Sequence, residues 1–135
     1  MAISTALSDC RMNRAAPYFL VDDVFATAEF YRDVLGFTFD AFFGVPPSFV
    51  LVQRDEVRIM LRQVRPPRAP VAKPNRTTMD ETYDAYVYVS NVDGLAEELR
   101  LKKADIVEGP INRIYDMREL IVRDCNGYVI AFGQG

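Results

Sequence analysis

The 135 residues include no histidine, no tryptophan and only two cysteines. Histidine is the usual general base near neutral pH and the commonest ligand for zinc, iron and nickel. Its absence closes the ordinary routes to metal and acid–base chemistry. Cys10 and Cys125 form no metal or redox spacing and read as free thiols of a cytoplasmic protein; Cys125 is expected to be inert. No apolar run approaches the roughly 18 residues that a membrane-crossing helix needs. "MAISTALSDCRMNR" has neither the basic start nor the continuous apolar stretch of a secretory leader, so residues 1–14 are expected to form a loose tail. A net charge of −3 speaks against nucleic acid as a partner. What remains is ordinary globular composition, 50% apolar and 26% charged, of a length that suits one domain over residues 15–135.

The chain is written twice. Residues 18–32, "YFLVDDVFATAEFYR", align with residues 86–100, "YVYVSNVDGLAEELR", at an offset of 68 with six identities in fifteen. "LVQRD" (51–55) returns as "LIVRD" (120–124), one position further on. Matches bunched at half the chain length indicate an internal duplication. Each copy opens with a strand, 15–21 or 83–89, followed by a helix that Asp23 or Asn91 would cap. Val24, Thr27, Ala28, Tyr31 and Leu35 make an apolar helical stripe that Gly36 stops; Val92, Leu95, Ala96 and Leu99 repeat it. Three extended runs follow in each copy: 37–43, 48–54 and 57–63, then 105–108, 112–123 (interrupted) and 128–133. "RDEV" and "DCNGY" read as hairpin turns, with Arg123 and Asp124 pairing to close the second. Each copy is therefore a βαβββ module, 15–63 and 81–135. The connector 64–80 holds four of the eight prolines, as an extended linker would. Its Arg65, Arg68, Lys73 and Arg76 have no interleaved aromatics and do not make a nucleic-acid patch.

Paired βαβββ modules, with "VDDVFATAEFYRDVLGF" after the first strand and "RELIVRDCNGYVIAF" at the end, resemble the vicinal oxygen chelate superfamily over about residues 14–133. That superfamily contains glyoxalase I, extradiol dioxygenases and the bleomycin-resistance proteins. The resemblance implies an α+β fold in which two tandem βαβββ modules form a cupped, mixed, eight-stranded sheet around a ligand. The positions where metal-using members carry their ligands fall here on Ala16, Met60, Asp84 and Ala131. Three of these cannot bind a metal; a site would have to be rebuilt from Asp84 and Glu119. Strand alternation groups Ala16, Tyr18 and Leu20 with Met60, and Asp84, Tyr86 and Tyr88 with Ala131, on the faces that would line the cup. Val57, Ile59, Leu61, Tyr128, Ile130 and Phe132 would pack on the helices.

Within the superfamily the chain is most similar to the bleomycin-resistance type. "AAP" puts Pro17 in the first strand, "AYVYV" repeats an aromatic-Val-aromatic-Val strand, and "RELIVRDCNG" matches the ending; Cys125, where relatives carry proline, departs from it. The resemblance implies a homodimer with an exchanged N-terminal strand and a ligand cleft at the subunit boundary. The function expected is metal-free, cofactor-free sequestration of an aromatic or cationic small molecule, an antibiotic of the glycopeptide kind among the candidates. The ligand would meet Tyr18, Phe42, Phe49, Met60, Asp84, Tyr86, Tyr88 and Glu119, with Phe43 nearby and Asp40 at a solvated edge. No residue is assigned a catalytic role. A lyase, dioxygenase or isomerase with atypical or no metal ligands is the alternative.

Overall fold

The computed structural model describes residues 9–65 and 73–135. The start of the expected tail and residues 66–72 of the connector, with Arg68, lie outside the described residues. The chain runs β1 (Tyr18–Val21), α1 (Val24–Asp33), β2 (Phe49–Arg54), β3 (Val57–Gln63), a 3-10 turn (Asn75–Thr77), β4 (Ala85–Tyr88), α2 (Val92–Leu101), β5 (Asp105–Asn112), β6 (Arg118–Arg123) and β7 (Val129–Gln134). The strands form two mixed sheets, β1-β3-β2 and β4-β7-β6-β5. The duplication survives as topology: β1 lies parallel to β3, as β4 does to β7, and the remaining neighbours are antiparallel. Among the described residues no helix is long and apolar enough to cross a membrane.

The fold is the α+β, two-module arrangement read from the sequence; among the described residues there are seven strands where eight were expected, and no ladder joins the two sheets. The missing strand is 37–43, which makes two isolated bridges, Thr38 with Gln53 and Phe43 with Phe49. Phe39 and Phe42 both turn onto the core and pack ring to ring at 5.4 Å. A spacing of three cannot put both rings on one side of a regular strand, so the ladder breaks between them.

Both helices begin as the sequence indicates. The carboxylate of Asp23 accepts from Ala26 N–H at 3.0 Å, and the side-chain oxygen of Asn91 accepts from Gly94 N–H at 3.0 Å. A second pair of caps comes from the last strand of each module. Gln63 Oε1 accepts from Val24 N–H at 2.9 Å, and Gln134 Oε1 accepts from Val92 N–H at 2.8 Å. Each side chain satisfies an N–H that the first helical turn leaves without an internal partner.

One core serves both modules. Val24, Ala28 and Tyr31 of α1, Val92, Ala96 and Leu99 of α2, Ile59 and Leu61 of β3, and Ile130 and Phe132 of β7 belong to a single buried cluster. Phe19 stacks on Tyr128 at 4.2 Å and 10°, and the Tyr128 hydroxyl donates to Leu20 C=O at 2.7 Å. Such a ring pair adds about 0.5–1.5 kcal/mol beyond area burial. The Tyr31 hydroxyl donates to buried Asp124 at 2.6 Å, and Arg54 reaches Glu98 through two hydrogen bonds of 2.7 and 2.8 Å. Arg123 pairs with Asp105, so Asp124 does not close its turn through Arg123. It accepts instead from the backbone N–H groups of Asn126 and Tyr128. The inner faces of both sheets and the two helices contribute to this shared core, which leaves the other face of each sheet outside it.

Candidate functional site

The outer face of the first sheet is open. Register places Tyr18, Met60 and Leu51 in one cross-strand row and Leu20, Arg62 and Phe49 in the next. Tyr18 is 52% exposed. Its ring lies 6.1 Å from that of Phe49, which lies 6.1 Å from Phe43. Together with the loop 44–48 and Arg62 to Arg65, these rings line a cleft of about 690 Å³. Tyrosine and phenylalanine rings at this separation can receive a flat aromatic body by stacking or edge contact.

The outer face of the second sheet is built differently. Ile121, Val129 and Ala131 form a small buried cluster of their own, covered by Tyr83, Tyr86 and Val107. Above it stands Glu119, only 1% exposed, which accepts from the Tyr86 hydroxyl at 2.7 Å, the Tyr115 hydroxyl at 2.7 Å and Arg113 Nε at 2.8 Å. Arg113 also holds Glu108 at 2.9 Å. Burial pushes the Glu119 carboxyl up, but the three hydrogen bonds outweigh it and hold the group below the usual glutamate range. Burial and the Glu119 carboxylate push the Tyr86 phenol well above its ordinary value. Two glycines make the knot possible. A Cβ at Gly133 would overlap the Tyr86 hydroxyl, and one at Gly109, whose φ is +98°, would collide with the Glu119 carbonyl. The rings here seal the sheet, so the hollow expected beside Ala131 is filled by the chain's own side chains.

The residues at the four family metal positions do not fit a metal ion. Ala16 and Ala131 have no donor atoms, and Met60 lies in the Tyr18–Leu51 row. Both oxygens of Asp84 are engaged by backbone: Oδ1 accepts from Asn75 N–H at 2.7 Å and Oδ2 from Val129 N–H at 2.8 Å. Asp84 thus clamps the connector to β7 rather than turning its charge toward a guest. Among the described residues no three His, Cys, Asp or Glu side chains gather where they could hold a metal.

The structure divides the residues expected to meet the ligand. Tyr18, Phe49 and Met60 share the open first face; Tyr86 and Glu119 share the second. Tyr88, 78% exposed, keeps its ring 5.1 Å from that of Tyr86 and also edges a separate cleft of about 670 Å³ between the modules, beside the Arg54–Glu98 pair. Phe42 packs on Phe25 at 4.5 Å, and the ring at the first cleft is its neighbour Phe43. Arg62, Arg113 and Tyr115 were not among the expected residues. Arg62 was legible, since it has the parity of Met60; Arg113 and Tyr115 sit in the turn after β5, where alternation carries no information.

No curated protein matches the chain significantly. Solved structures do. TioX from Micromonospora sp. ML1 superposes with a TM-score of 0.70 at 19% identity, over 91% of this chain and 98% of that one. The bleomycin-binding protein from bleomycin-producing Streptomyces verticillus, solved with copper(II)-bleomycin, gives 0.64 at 25% identity over 93% and 98%. TnmS3, an antibiotic binding protein from Streptomyces sp. CB03234, gives 0.64 at 21% identity over 93% and 98%. A family model matches residues 11–132, and the chain belongs to the glyoxalase/bleomycin resistance protein/dioxygenase superfamily.

Proposed function

We propose that the protein is a small-molecule binder of the bleomycin-resistance type, which sequesters a flat aromatic ligand, an antibiotic among the candidates, without metal or catalysis. The carrying observation is the open row of rings, Tyr18, Phe49 and Phe43, around a cleft of about 690 Å³. That volume is in the range of small-molecule sites. The likeness to the bleomycin-binding protein and to TnmS3 supports the reading. The lyase or dioxygenase alternative is not favoured, because the four metal positions supply no ligand set.

A cup needs two walls, and the first cleft is lined from residues 18–65 alone. A twofold dimer brings the first face of one protomer against the second face of the other and makes two equivalent clefts. The first strand, expected to cross to the partner, pairs here with β3 of its own chain, and the Pro17 carbonyl accepts from Met60 N–H at 2.9 Å; residues 9–16, which form no strand, are the segment left to cross.

The test is calorimetric titration of the chain with bleomycin-type glycopeptides and flat aromatics, beside light scattering for mass. We expect binding of at least one aromatic class and a dimer mass. Phe49→Ala, which removes a ring from the open row, should weaken binding by about tenfold. A flat response across the panel would refute binding.

A further inference from the structure

The structure assigns a charge to the ligand of the first cleft: we infer that it takes a flat aromatic acid, a planar ring body bearing a carboxylate or an equivalent anion, with Arg62 as its partner. The inference rests on the binding reading above and specifies it.

Arg62 stands on the central strand of the first sheet, flanked in register by Leu20 and Phe49, with Tyr18 and Met60 in the adjoining row. It is half-buried among apolar neighbours. The other strand arginines are engaged: Arg54 with Glu98, Arg58 with the Gln53 side chain, Arg118 with Asp93 and Arg123 with Asp105. The Arg62 guanidinium has no hydrogen-bond or ion-pair partner among the described residues. Among the described residues that line the cleft, Arg65 adds a second cation and no aspartate or glutamate balances either. Arg58 lies further along the same face. A planar guanidinium beside an aromatic ring presents a fork matched to a carboxylate, with a stacking surface next to it.

Asp84 and Glu119, the two carboxylates expected to meet the ligand, are engaged elsewhere. Asp84 is held by two backbone N–H groups, and Glu119 by Arg113 and two tyrosines. A cation in the first cleft would meet only like charge. An anion would supply the counter-charge that Arg62 lacks.

Three probes of one shape and different charge test this on the whole chain by calorimetry: 2-naphthoate, 2-naphthamide and 2-naphthylmethylammonium. The naphthoate should bind about tenfold more tightly than either other probe, the size of one charge-assisted contact. Arg62→Gln should abolish that preference, so that the naphthoate and the naphthamide bind alike, and Phe49→Ala should weaken all three. Equal binding of the three, a preference for the ammonium, or a preference untouched in Arg62→Gln would overturn the inference and leave the binding reading standing. Failure of all three to bind would overturn both. If Arg62→Gln dissociates the dimer and keeps the anion preference, Arg62 belongs to the contact between copies and the inference fails.

Discussion

The hydroxyl of Tyr31, on the first helix, donates to the carboxylate of Asp124, in the last hairpin turn, 93 residues away and wholly inside the core. Burial pushes both groups above their ordinary pKa values, so the proton stays on the phenol and the bond joins the modules. Tyr31→Phe leaves Asp124 with its backbone donors alone. The loss should be about 1–3 kcal/mol, read as a lower urea midpoint with an unchanged slope.

Glu119 ties stability to acid. Its carboxyl is held below the unfolded value, so its contribution is complete above the ordinary glutamate pKa of about 4.3 and is lost as pH falls through the folded value. Tyr86 acts at the other end. Its phenol is held above the unfolded value of about 10, so its contribution is lost as pH rises past that point. Melting temperatures measured across pH should show the wild type ahead of Glu119→Gln near neutrality. The gap should narrow on the acid side; a constant gap would show that Glu119 is not the titrating group.

Gly133 holds the same knot from beneath. Gly133→Ala would thrust a methyl group into the Tyr86 hydroxyl and push the phenol off Glu119. Spectrophotometric titration of tyrosinate should then count one fewer late-ionising tyrosine than in the wild type, while the Tyr31 class stays late.

Gln63 and Gln134 perform one task in two places, accepting from the first N–H of a helix. Replacing either by leucine leaves that N–H without its acceptor and should cost on the order of 1 kcal/mol. Denaturant unfolding should give comparable losses for the two variants. A large loss at one and none at the other would mean that the copies have diverged in how they start their helices.

Much of this architecture is written in local pattern. The offset of 68, the caps at Asp23 and Asn91 and the buried stripe of α1 follow from spacing alone, because helix periodicity and capping are decided by neighbours in sequence. The inward set of Ile59, Leu61, Ile130 and Phe132 follows from strand alternation in the same way. The candidate site was less legible. Alternation told which face Tyr86 occupies but not that Arg113 and Tyr115 would fold over Glu119 from a turn. It placed Asp84 beside Tyr86 but could not show two backbone N–H groups taking its oxygens. Those are tertiary events, set by where the connector and the turn 113–117 come to rest. The Phe39–Phe42 pair misled for a related reason: a run of aromatics reads as a strand until the core claims two rings on the same side.

The division of the chain into two unlike outer faces, one open and one sealed, has a genetic corollary. In the dimer proposed above, whose clefts would each combine unlike halves from two chains, a protomer damaged at Arg62 and another damaged at Glu119 would complement each other. Their mixed assembly holds one pocket carrying both lesions and one with none, so one pocket in two of that assembly, and about one in four of a randomly paired mixture, regains the full charge preference.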